Sequence, residues 1–170
     1  MTKFLLSVHV LAAILAIGPI TVAASMFPRY VRSPAADGDG SDDARTAALL
    51  HRVCRGYTVV GIAVPVFGVA TGAQLGVLTD AWLLTSIVLT AAAAALLLLA
   101  ILPGQQRLLA QPAGAALGGH AGADANPGAG VAEAARSAAA RLAMVTGTFN
   151  LLWAVVVVLM IVRPGSTTGA

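Results

Sequence analysis

His9 is the one histidine that falls inside an uncharged stretch long enough to cross a membrane, and an ionisable side chain in such a place is a candidate for chemistry by default. It shares a helical face with Ala12, Ala13 and Ala16, small residues that would let a neighbouring helix come close. Counted from the same boundary, Gln74, Thr85 and Ser86 reach a similar depth. The spacing predicts a polar interhelical layer of His9, Gln74 and Thr85 or Ser86. Two chemistries are open to it. A neutral His9 can hydrogen-bond to Gln74 or a hydroxyl and lock the helices, or its imidazole can bind haem b iron or copper as a cofactor. Ligation normally takes a second donor, and His51 is expected near the cytoplasmic surface, out of reach. A bis-histidine haem would therefore draw His9 from two copies of a homo-oligomer; otherwise a different residue supplies the second ligand.

Other polar and small residues are given packing roles. Pro19 deprives the Leu15 carbonyl of its helical donor, and the Asn150 amide, on a face with Ala143, Gly147 and Ala154, is expected to supply one. Gly61, Gly68, Gly72 and Gly76 stand mostly at four-residue spacing, the pattern of a close helix–helix contact. Cys54 is the sole cysteine, so no internal disulfide can form. It reads as a reduced, inert thiol, with juxtamembrane acylation as the alternative. The acidic run from Asp37 to Asp43 resembles a calcium loop but has Asp42 and Ala48 where an EF-hand needs glycine and glutamate. It is expected to be a solvated turn capping a helix that begins near Ala44. No carboxylate pair, Ser/His/Asp set, phosphate-cradling loop or zinc spacing is present, so no catalytic residue is assigned.

The elements that must hold these residues follow from composition. Of the 170 residues 58% are apolar and only 10% charged, and the mean hydropathy is +0.87, outside the range of soluble domains. In lipid every backbone polar group must be satisfied within the chain, which favours helices. The uncharged stretches 4–28, 56–79, 81–106 and 142–162 each exceed the roughly 20 residues that cross a bilayer core. An all-α, four-helix transmembrane bundle forming one domain is predicted, with helices at about 4–27, 57–78, 81–102 and 142–162.

Of the ten basic residues, all but Lys3 and Arg163 lie in two long loops, Pro28 to Gly56 and Pro103 to Arg141. The positive-inside bias puts both loops in the cytoplasm and both termini outside the cell. Trp82 then marks the outer interface, and Tyr30 and Tyr57 the inner one. The first apolar run is too long for a signal-peptide core and ends in arginines that would retain it in the bilayer. The arginines flank apolar spans instead of forming a stripe with interleaved aromatics, so the lipid bilayer is the expected partner and nucleic acid is not. The glycine- and alanine-rich segment within about 103–130 is expected to be a flexible loop with a solvated His120. Ala44-Arg45-Thr46-Ala47-Ala48 parallels Ala135-Arg136-Ser137-Ala138-Ala139, and Gly56 and Gly147 follow at equal spacing. This is the mark of a duplicated helical hairpin.

The opening Phe4-Leu5-Leu6-Ser7-Val8-His9, the Phe27-Pro28-Arg29-Tyr30 exit and the run Gly56-Tyr57-Thr58-Val59-Val60-Gly61-Ile62-Ala63-Val64-Pro65-Val66-Phe67-Gly68 resemble a bacterial family of predicted integral membrane proteins defined by a domain of unknown function. That resemblance implies four helices in a bacterial plasma membrane and brings no activity. More remotely, an early histidine and a Pro-Arg exit are similar to copper-resistance D-type membrane proteins and to the HemJ-type protoporphyrinogen oxidase, which work with copper or haem. Only His9 carries over, and the intramembrane lysine expected of the oxidase pattern has no counterpart here. The sequence thus points to a non-enzymatic multi-pass membrane component. A haem- or copper-binding redox protein using His9 and a small-solute transporter lined by Gln74, Thr85 and Asn150 stand as alternatives.

Overall fold

The computed structural model describes residues 2–32, 40–110 and 127–165, and these are helical apart from short turns. Helix α1 is Thr2–Arg32; α2, Gly40–Gly61, passes through one irregular step into α3, Ala63–Leu75. After a tight turn α4, Ala81–Leu96, leads through a π-helical turn at Leu97–Ile101 into α5, Leu102–Ala110, and α6 is Pro127–Val162. Four stretches are long and apolar enough to cross a membrane: Lys3–Val31, Asp42–Leu75, Ala81–Ala110 and Glu133–Val162. Their outward faces are apolar too, with Phe4, Ile14, Val59, Leu99, Met144 and Ile161 all exposed. Such a surface is costly in water and matches lipid. These are the properties of an all-α membrane protein with four spanning segments.

Three of the four helical segments run well past the expected limits. The second begins at Gly40, close to the start expected near Ala44 but well before the span expected from 57, and stops at Leu75; the third continues to Ala110; the fourth begins at Pro127, not near 142. An uncharged window measures the thickness of the hydrocarbon, whereas a helix can continue into water with arginines on one face. At about 1.5 Å per residue the 34 residues of Asp42–Leu75 extend far beyond a ~30 Å core. Residues 103–110 and 127–130 are therefore helix and not loop, while residues 111–126, with His120, lie outside the described residues. Asp42 and Asp43 sit in the first turn of α2, where carboxylates favour the positive end of a helix. Asp37 and Asp39 lie outside the described residues.

Prolines account for the irregularities inside the spans. Pro65 has no N–H to offer the Gly61 carbonyl, and the chain breaks there: Ile62 N–H bonds back only three residues, to the Val59 carbonyl at 3.3 Å. Pro103 likewise cannot serve Leu99. The helix widens just before it, so that Leu102 N–H reaches the Leu97 carbonyl five residues back. Helix α1 stays helical through Pro19 and Pro28. Gly76, at φ 70°, is the left-handed residue that ends α3. It terminates the helix and so does not belong to the packing face predicted for the glycines.

Helix α1 is central, packing against α2, α3 and α6, while α4 pairs with α6 and α5 meets α2. Ala16, Ala23 and Ala24 are buried on α1, and small residues there bring the partner helices close. Ile20 and Phe27 fill the core with Ala93, Leu97, Ile101, Leu142 and Phe149. The hairpin parallel extends to ion pairs. Asp42 meets Arg45 at 3.4 Å and Glu133 meets Arg136 at 3.2 Å, each three residues apart and at the same distance ahead of Gly56 or Gly147.

Candidate functional site

His9 is held by α1 against the start of α3, where Nδ1 lies 2.8 Å from the Val64 carbonyl oxygen. A carbonyl only accepts, so Nδ1 carries the proton in this contact, and in the neutral ring Nε2 is the free nitrogen. Access to that oxygen depends on Gly68, one turn along α3. An added Cβ there would stand 2.9 Å from His9 Cε1 and 3.2 Å from Nδ1, and the imidazole occupies the space a side chain would take. The tie from His9 is therefore made to backbone and not to Gln74 or a hydroxyl, as the sequence had implied.

The rest of the predicted layer is not joined by side-chain hydrogen bonds. Gln74 is exposed. Thr85 donates to the Ala81 carbonyl at 2.7 Å, and buried Ser86 to the Trp82 carbonyl at 2.8 Å, each within its own helix. Asn150 Nδ2 donates to Ser25 Oγ at 3.1 Å, about 15 Å along α1 from Leu15 at the helical rise. The two antiparallel helices are simply out of the register that counting assigned. Gly72 takes Leu83 and Leu78 side chains, a Cβ there standing 2.9 and 3.3 Å from them, and a Cβ at Gly61 would stand 4.0 Å from Ile20 Cδ1. These glycines receive side chains and do not bring two backbones together.

A second polar group went unread. His51, 8% exposed, has Nδ1 2.9 Å from Gln105 Oε1. Gln105 Nε2 donates to Cys54 Sγ at 3.7 Å, and Cys54 donates to the Ile20 carbonyl at 3.9 Å. Gln105 and Cys54 are fully buried. Each group donates to the next, an arrangement in which every bond polarises its neighbour, and the chain of contacts ties α2 and α5 to α1. The periodicity carries the signal: Ala47, His51 and Cys54 form the buried stripe of α2, and Arg45, Arg52 and Arg55 its exposed face. Cys54 fits an inert thiol, though it is enclosed in the bundle and not at its margin.

At the opposite end Trp82 Nε1 donates to Asp80 Oδ2 at 3.1 Å, and the Arg163 guanidinium lies 5.6 Å from the Trp82 ring centre. These groups suit an interfacial belt. Among the described residues no three His, Cys, Asp or Glu side chains gather as a metal cluster. His9 Nε2 thus belongs to no such cluster among the described residues, and a haem or copper there would draw its further ligands from elsewhere.

Between these two ends lies a cavity of about 130 Å³ to which all four spanning segments contribute: Ile17 and Ile20 from α1, Gly61, Ile62 and Pro65 at the α2–α3 break, Thr90 and Leu98 from α4 and the π turn, Phe149 and Trp153 from α6. Among the described residues Trp153 Nε1 is buried without an acceptor, as are Thr146 Oγ1 and Asn150 Oδ1 without a partner, at one-turn intervals along α6. No family model, curated protein or solved structure matches this chain.

Proposed function

We propose that the protein is a non-enzymatic, multi-pass component of a bacterial plasma membrane, its termini outside the cell and its two long linkers in the cytoplasm. The observation that carries the reading is the use made of His9. The one histidine within an uncharged stretch of spanning length donates to the Val64 backbone across a glycine, an interhelical tie. His51, Gln105 and Cys54 are engaged in the same way at the other end. The arginine distribution supports the orientation. Membership of the bacterial family with a domain of unknown function is part of the proposal and rests on the resemblance carried by residues of the first three helices. The residues named for a transport path do not support one, since Gln74 and Thr85 are exposed and Asn150 faces Ser25.

One observation favours a second reading. An imidazole whose Nδ1–H is fixed by a backbone carbonyl presents Nε2 in the form that metals bind, so a haem or copper held between the His9 residues of two copies is the alternative. Visible absorption of the detergent-purified protein separates the two. A colourless, metal-free preparation is expected, and a Soret band that disappears in His9→Ala would favour the redox protein.

A further inference from the structure

The central cavity is where two disturbed helices meet α1. Ile17 and Ile20 of α1 face the α2–α3 break, which supplies Gly61, Ile62 and Pro65, and the π turn, which supplies Leu97 and Leu98. Broken and widened helices at membrane depth are tolerated where they border a cavity, and they recur at binding sites. Its volume of about 130 Å³ is close to that of the apolar cavity of about 150 Å³ that accepts benzene, so it holds one six-membered ring. Ile62 and Leu98, 62% and 50% exposed, mark its side open to lipid. A ring can sit inside while a tail leaves into the bilayer.

The walls are aliphatic except for Phe149, the Trp153 indole and two hydroxyls. Thr58 already donates to the Cys54 carbonyl at 2.7 Å. Trp153 Nε1 is different: it is buried, it can only donate, and it has no acceptor among the described residues. A buried donor left unpaired costs about 1–3 kcal/mol, which an occupant with an acceptor oxygen removes. Trp153 stands nine residues from the end of α6 at Val162, about 14 Å at the helical rise, near the middle of a ~30 Å core. The ester carbonyls of bilayer lipids lie at the interface and do not reach that depth without dragging a headgroup into the hydrocarbon. We infer that this cavity binds the ring of a lipophilic carbonyl compound of the benzoquinone type, with one ring oxygen accepting from Trp153 Nε1 and the tail leaving past Ile62 and Leu98.

The test is equilibrium dialysis of the full chain in detergent against matched empty micelles, with duroquinone as probe and durene, the same ring without oxygens, as its control. Duroquinone is expected to bind about tenfold more tightly than durene. Trp153→Phe, which keeps the ring and removes the donor, should abolish that difference, and Ala94→Leu, which fills the cavity, should remove binding of both. Trp82→Phe, outside the cavity, should change neither. Equal binding of the two probes, or duroquinone binding that survives Ala94→Leu, would overturn the inference. So would a preparation that takes up neither probe and releases them a place only after bound phospholipid is stripped, since an acyl chain would then be the occupant. Circular dichroism of each variant confirms that a loss of binding is not a loss of fold.

Discussion

Gly68 is the seat of His9: the imidazole lies where the glycine's missing Cβ would stand, 2.9 Å from Cε1, and Nδ1 reaches the Val64 carbonyl at 2.8 Å. A residue on one helix is thus small because a residue on another is polar. Gly68→Ala should displace the ring and cost about 1–3 kcal/mol by overpacking, read as a lower midpoint of thermal unfolding in detergent. In the background of His9→Ala the same change should cost much less. Equal costs in the two backgrounds would separate the residues.

His51 and Gln105 make a comparable pair with the opposite chemistry, side chain to side chain. Gln105→Leu alone leaves a buried imidazole and thiol without their partner and should cost about 1–3 kcal/mol. The double variant His51→Leu/Gln105→Leu should cost less than the sum of the single changes, because an apolar pair of similar volume suits that site. Denaturant titration of all four proteins measures the coupling, and strict additivity would show that the contact carries no energy.

What the sequence made legible divides along physical lines. Charge-free length reports hydrocarbon thickness directly, so the number and order of the spans could be read. It says nothing of helix beyond the bilayer, and so leaves α5 and the start of α6 looking like loop; only the acidic turn before Ala44 signals the early start of α2. Depth counting located His9 and the glycine face but assumed that antiparallel helices are in register, and Asn150 with Ser25 shows how far register can slip. A search for side-chain partners also passed over the commonest acceptor in a helix, a backbone carbonyl laid open by a glycine. His51 and Cys54 were legible by period, since both lie opposite the arginines of α2, but a window bounded by Arg55 put them outside the bundle.

Cys54 provides a chemical check on that enclosure. With no exposed surface and contacts to Gln105 and the Ile20 carbonyl, the thiol should resist a membrane-permeant maleimide in the native protein and react fully in denaturing detergent. Gln105→Ala should open it to slow labelling. Rapid modification of the native protein would place the thiol at the surface.

Orientation is tested from the two sides of the membrane. In a Cys54→Ala background, a cysteine introduced at Asp39 should be labelled by an impermeant maleimide in inverted vesicles and protected in intact cells, while one at Thr2 should show the reverse. The opposite pattern would invert the topology and leave the bundle unchanged.

Nitrogen-15 NMR of histidine-labelled protein in bilayers reads directly how the His9 imidazole is used. A single protonated, hydrogen-bonded Nδ1 coupled through space to the Val64 carbonyl carbon, with a bare Nε2, is the predicted signature. An Nε2 shifted by a bound metal, or an Nδ1 without its proton, would contradict it.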